Sequence, residues 1–128
     1  MAVKHKGINA ERELIHMLWA AGWAAVRVAG SGSSRYPSPD VLAGNNLRKV
    51  AIECKAVHNK NKYLPQEEVE NLLIFAKRFG AEPWVGIRFD KEQWYFLGPE
   101  ELIKTKESYK ISLQSAKLSG LLFEELIK

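Results

Sequence analysis

No apolar run in this 128-residue chain approaches the roughly 20 residues that a bilayer-spanning helix needs. No apolar segment follows the basic residues of the opening stretch Met1 to Gly7 either, so the chain reads as cytoplasmic, with no membrane partner. Its one cysteine, Cys54, is too few for an intramolecular disulfide or a multi-thiolate zinc site, so any metal falls to oxygen or imidazole ligands. His5, His16 and His58 share no ligand spacing. Oxygen ligands and a hard cation remain. Repeats and linker-like stretches are also missing, which makes residues 1–128 a single domain.

What is present is globular: 46% hydrophobic and 27% charged residues, with four Trp, four Tyr and five Phe, enough to exclude intrinsic disorder. The net charge of +4 is unevenly spread. Residues 1 to 62 hold ten Lys/Arg against four Asp/Glu, whereas residues 63 to 128 hold nine against eleven. A basic N-terminal half suits a polyanion, because each neutralised phosphate releases counterions.

Apolar periodicity predicts a helix over residues 8–21, with Asn9 as N-cap and Gly22 as C′ residue. Trp23 to Ala29 reads as a strand, and Gly30 to Pro39 as the one long irregular loop. Asp40–Ala43 and Arg48–Val57 read as two strands joined through Gly44 to Leu47, where Asn45-Asn46 suits a turn with positive φ. A polar connection leads to the strongest helix, Pro65 to Phe79, with three Glu near its positive end and Gly80 as its stop. Pro83–Phe89 and Gln93–Leu97 form a second hairpin around residues 90–92, with Trp84 and Trp94 read as core. One helical turn at 99–103, a weak strand at 109–113 and a terminal helix at 118–127 complete an α/β domain with a central mixed sheet flanked by helices.

Period-two alternation puts Glu53 and Lys55 on one strand face, with Cys54 on the other. Pairing Gly44 with Leu47 sets Asp40 opposite Ala51 and makes Glu53 its diagonal same-face neighbour, near enough for two carboxylates to share one divalent ion. Phosphodiester hydrolysis needs such a set. A cation offsets the anion's repulsion of the nucleophile, lowers the pKa of bound water and stabilises the leaving oxyanion. Mg²⁺ is held by one or two carboxylates plus water and substrate phosphate, which Asp40 and Glu53 supply, with Mn²⁺ as a substitute. Lys55 would orient or help deprotonate the attacking water. Lys4, Lys6, Arg35, Lys60 and Lys62 surround this hairpin as candidate DNA contacts. Phe75 and Phe79, four apart on one helical face, suit a core or a dimer interface equally.

Across Lys6 to Phe96 the chain resembles the archaeal-type Holliday junction resolvases of the restriction-endonuclease-like PD-(D/E)xK nucleases. The resemblance rests on Lys6-Gly-Ile-Asn-Ala-Glu-Arg-Glu13, Arg27-Val-Ala-Gly-Ser-Gly32, Pro39-Asp40 with Ile52-Glu-Cys-Lys55, and Leu73-Ile-Phe-Ala-Lys-Arg-Phe-Gly80. It implies that Glu11 completes the acidic metal site and that Ser31 is a catalytic serine, with Ser33 and Ser34 as alternatives. It also makes Arg27 a DNA contact, and Arg12 a phosphate contact or a brace for the acidic cluster. Phe75 and Phe79 fall in a segment tied to dimer packing. The implied protein is a homodimer that makes paired, Mg²⁺-dependent nicks in four-way junction DNA and takes no small-molecule substrate. The rivals are a restriction or repair endonuclease of the same superfamily and a non-catalytic junction-binding protein.

Overall fold

A computed structural model describes residues 2–30 and 35–128, and side chains from Lys6 onward. The first helix, α1 (Ala2–Ala20), is followed by β1 (Ala24–Arg27), β2 (Val41–Gly44), β3 (Lys49–Val57) and β4 (Asn61–Pro65). Then come α2 (Gln66–Phe79), β5 (Glu82–Phe89), β6 (Trp94–Leu97), a 3₁₀ turn at Pro99–Glu101, β7 (Ile103–Lys104) and β8 (Ser108–Ser112). The chain finishes with α3 (Leu113–Ser119), β9 (Leu121–Leu122) and α4 (Phe123–Leu126). Six strands form one sheet in the order β1-β2-β3-β5-β6-β9, in which only β3 and β5 run parallel. The parallel pair needs a long crossover, and α2 supplies it. A second sheet, β4-β8-β7, is antiparallel throughout.

Alternation along β3 divides the interior into two layers. Val50, Ile52 and Cys54 face α1, where they pack with Leu14, Leu18, Trp23, Phe96 and Leu126. Ala51 and Val57 face the opposite way, into a core with Val69, Leu72 and Ala76 of α2 and with Val85, Ile87, Leu97 and Ile111. Glu53 and Lys55 share parity with Ala51 and Val57, so they belong to the α2 face at the point where that face opens. Gly86 lets β5 lie close beneath Phe96: a Cβ there would stand 2.9 Å from that ring.

Several expectations change. The helix predicted from residue 8 begins at Ala2, so Asn9 lies within it and caps nothing, whereas Gly22 takes the expected left-handed conformation at φ 89°. The turn between β2 and β3 uses no positive φ at either Asn. Asn45 Oδ1 instead accepts from the backbone N–H groups of Leu47 and Arg48, both at 2.8 Å. Among the described residues Lys91 is the one non-glycine with positive φ, at 62°, in the turn after β5. The Asn45 turn widens the loop to four residues and pairs Gly44 with Lys49 rather than Leu47. Part of the polar connection is β4, because Asn61–Pro65 pairs with β8, and Pro65 is the N-cap of α2. The single terminal helix expected over 118–127 is split in two. Gly120 ends α3 in an extended conformation, and a Cβ there would stand 2.6 Å from the Ala116 carbonyl oxygen. Trp94 is core as expected, while Trp84 is half-buried and donates to Glu82 at 3.2 Å. Among the described residues no helix is long and apolar enough to cross a membrane.

Candidate active site

Asp40 enters the sheet one residue before β2, where Pro39 is buried and the ladder is already committed: its N–H donates to the Ile52 carbonyl at 3.1 Å, and its own carbonyl accepts from Val28 N–H at 2.8 Å. The β2–β3 register ends at Val41–Ile52 and Asp40 N–H bonds to the Ile52 carbonyl, so Asp40 sits at the end of the ladder, where its charge reaches the Glu53 carboxyl. The expected pairing of Asp40 with Ala51 does not occur, because Ala51 pairs with Leu42. One Asp40 oxygen accepts from Cys54 N–H at 2.8 Å, so the carboxylate continues the ladder as a surrogate backbone acceptor and is held rigidly.

The cleft at this edge is lined by Glu11, Asp40, Glu53 and Lys55, by Arg35 to Ser38, and by Pro65, Glu67, Glu68 and Asn71 at the start of α2. Its carboxylates repel one another. Burial, and then the Asp40 charge, push the Glu53 carboxyl up to about 9, against the opposing pull of Lys55. The Glu11 carboxyl is raised by burial and by Asp40, while Arg27 at 3.4 Å holds it down. Burial lowers the affinity of Lys55 for its proton, but Glu68 at 2.6 Å and Glu53 at 3.6 Å outweigh it and leave the ammonium raised. The Cys54 thiol, buried on the other face, is driven well up by desolvation first and by the carboxylates second, so it is no nucleophile.

The donor chemistry fits a hard divalent cation. Three half-buried carboxylates border one cleft with mutual repulsion that a cation would relieve, and the buried Ser38 Oγ in the same wall has no hydrogen-bond partner. Among the described residues no three His, Cys, Asp or Glu side chains stand close enough to hold an ion by themselves. Glu11, Asp40 and Glu53 thus line one cleft without converging on a single point, and a cation there would need water and phosphate oxygens to complete its shell.

Not every expected contact gathers here. Ser31, Ser33 and Ser34 lie outside the described residues, as does the Lys4 side chain. Arg27 sits on Glu11 and braces the acidic cluster, the part considered for Arg12, which is exposed on α1. Arg35 lines the cleft. Lys6 points elsewhere, to Asp90 and to His58 Nδ1 at 3.1 Å, beyond the C-terminal ends of β3 and β5. Lys60 is exposed in a separate groove and Lys62 is half-buried on β4. Phe75 and Phe79 stack at 5.3 Å between centroids, with Phe79 44% exposed; Leu73 and Ile74 of the same helix are exposed as well. Sequence reasoning passed over Glu68 and Ser38. Glu68 was read only as a favourable charge on the helix dipole, and its partner becomes visible only when α2 is docked.

A family model described as archaeal Holliday junction resolvase (Hjc) matches residues 2–128. The chain is 41% identical to the crossover junction endodeoxyribonuclease Hjc of Archaeoglobus fulgidus, with 96% of each chain covered. It is 37% identical to the Hjc of Sulfolobus acidocaldarius, covering 100% of this chain and 90% of that one. It is 36% identical to the crossover junction endodeoxyribonuclease Hje of Saccharolobus solfataricus, covering 74% of this chain and 73% of that one. The solved structure of Archaeoglobus fulgidus Hjc, a Holliday junction resolvase, superposes with a TM-score of 0.89 at 40% identity, covering 95% of this chain and 100% of that one. The chain thus belongs to the archaeal Holliday junction resolvase family, and its cleft lies on that family's fold.

Proposed function

We propose that this protein resolves four-way DNA junctions by paired phosphodiester hydrolysis as a homodimer, with Mg²⁺ bound between Asp40 and Glu53. Membership of its family makes it a crossover junction endodeoxyribonuclease. The observation that supports the residue assignment is one cleft lined by Glu11, Asp40, Glu53 and Lys55, in which the Asp40 and Lys55 charges both act on Glu53.

The divalent ion supplies charge neutralisation for the phosphodiester and for the oxyanion that leaves. Asp40 and Glu53 would hold that ion, with Glu11 as the third acidic wall of the cleft. Asp40 is the rigid member, because its ladder bond to Cys54 N–H leaves it little rotational freedom. The Lys55 ammonium stands beside Glu53 and orients the attacking water while balancing charge on the scissile phosphate. Arg27 keeps Glu11 in place. Arg35 lines the DNA-facing wall of the cleft, and Ser31, with Ser33 and Ser34 as alternatives, is the catalytic serine of this reading. Lys60 and Lys62 continue the basic track towards the duplex arms.

Two equivalent strands call for two equivalent sites, and a closed two-fold dimer repeats one cleft at a fixed distance. Leu73, Ile74 and Phe79 of α2 are exposed apolar side chains, and the Phe75–Phe79 stack is the surface such a dimer would cover. In the decisive experiment the protein meets a four-way junction or a matched linear duplex, with Mg²⁺ or Mn²⁺, beside Asp40→Asn. Symmetric nicks in the junction alone, absent from the variant, are expected. Equal cutting of the duplex would overturn the junction reading.

A further inference from the structure

The tightest polar contact in the cleft involves a residue outside the hairpin that carries Asp40, Glu53 and Lys55. Lys55 Nζ donates to Glu68 Oε1 at 2.6 Å, while Glu53 Oε2 is 3.6 Å from the same nitrogen, beyond a direct hydrogen bond. We propose that Glu68 is a positioning residue for junction cleavage, whose carboxylate fixes the Lys55 ammonium beside Glu53. The inference rests on the reading that Lys55 acts in the cut.

A lysine ammonium rides on four rotatable carbons and is a poor catalyst unless something selects one rotamer. β3 fixes only the Cα of Lys55. Glu53 is two residues away on the same strand and already committed to the cation side, so it cannot also be the close anchor. Glu68 can, because its position is set from elsewhere in the fold. It lies in the first turn of α2, whose start is pinned where Pro65 pairs with Ser108 at the end of β4. Its neighbours Val69 and Leu72 are both 2% exposed and lock the helix rotation against the sheet. The second sheet thereby helps to set where Glu68 stands in the cleft. The pair is also half-enclosed, with Lys55 20% and Glu68 34% exposed, so solvent screens it less than an outer surface bridge.

The test is a double-mutant cycle read as single-turnover cleavage of pre-bound junction, with Lys55→Ala, Glu68→Ala and the double variant, each checked for folding and junction affinity. Glu68→Leu, which keeps bulk and helix propensity, repeats the measurement should alanine disturb α2. We expect Glu68→Ala to slow cleavage on the order of 10-fold to 100-fold at unchanged affinity. On the Lys55→Ala background it should do nothing further. Glu68→Gln, which keeps a carbonyl acceptor at the same reach, should recover most of the rate.

Multiplicative losses in the double variant would overturn the proposal, because Glu68 would then act on its own. A raised Mg²⁺ requirement in Glu68→Ala would also overturn it, by making Glu68 an ion ligand. Full activity of Glu68→Ala beside an inactive Lys55→Ala overturns this inference alone. Full activity of Lys55→Ala overturns the reading beneath it as well.

Discussion

At the scale of single residues, the cleft sets groups against one another that folding alone would keep apart. Glu53 is 16% exposed and lies within reach of the Asp40 charge, so its own charge is a burden on the metal-free fold. Its carboxyl lies well above the value it has in the unfolded chain, so between about 4.5 and about 9 the native state holds a proton that the unfolded chain has released. By linkage, that contribution to stability is complete below the lower value and is lost as pH rises through the upper one. Glu53→Gln should therefore melt a few degrees higher than the parent in chelator at alkaline pH, and the gap should close on acidification. A variant melting lower than the parent at every pH would contradict this. Asp40→Asn keeps an oxygen that can accept from Cys54 N–H, so its fold should stand while junction nicking drops on the order of 10²-fold or more, read in single turnover beside a retained gel shift.

At the scale of elements, stability depends on a few close approaches. Gly86→Ala would drive a Cβ into the Phe96 ring and to 3.2 Å from Ile52 Cγ2, which should cost about 1–3 kcal/mol in urea unfolding. Ser112→Ala removes the side chain that accepts from Ser115 N–H at the start of α3 and should cost about 1 kcal/mol. These elements also mark how far the sequence could be read. The β2–β3 hairpin was legible because period-two alternation needs no tertiary information. Its register was not, because the Asn45 side chain captured two backbone donors and added two residues to the loop. α2 was legible from both ends, through Pro65 and Gly80. The stretch after Tyr109 was not, since α3, β9 and α4 are too short to declare themselves by periodicity, and Gly120 separates them through a contact with the Ala116 carbonyl. Within the site, Asp40, Glu53 and Lys55 sit on one local unit and could be found by spacing. Glu68 comes from a helix fixed by the second sheet, and no spacing rule reaches it.

At the scale of the whole molecule, the exposed stripe on α2 predicts assembly. On the proposed dimer, Phe79→Glu would place a charge against the stacked Phe75 and should shift sedimentation towards the monomer. Single, uncoupled nicks should then replace paired ones in a supercoiled cruciform plasmid; an unchanged sedimentation coefficient would rule this interface out. The far rim of the main sheet shows the opposite treatment of exposed surface. Only two residues of β9 pair with Tyr95 and Phe96 of β6, and α4 then turns the chain back so that Leu126 is buried and its carbonyl accepts from Arg48 at 2.6 Å. Those last few residues act as a guard rail, denying the hydrogen-bonding edge of a fully buried strand to any stray chain. A variant cut before Leu121 should leave that edge bare and associate with itself through it, which light scattering beside the parent would register.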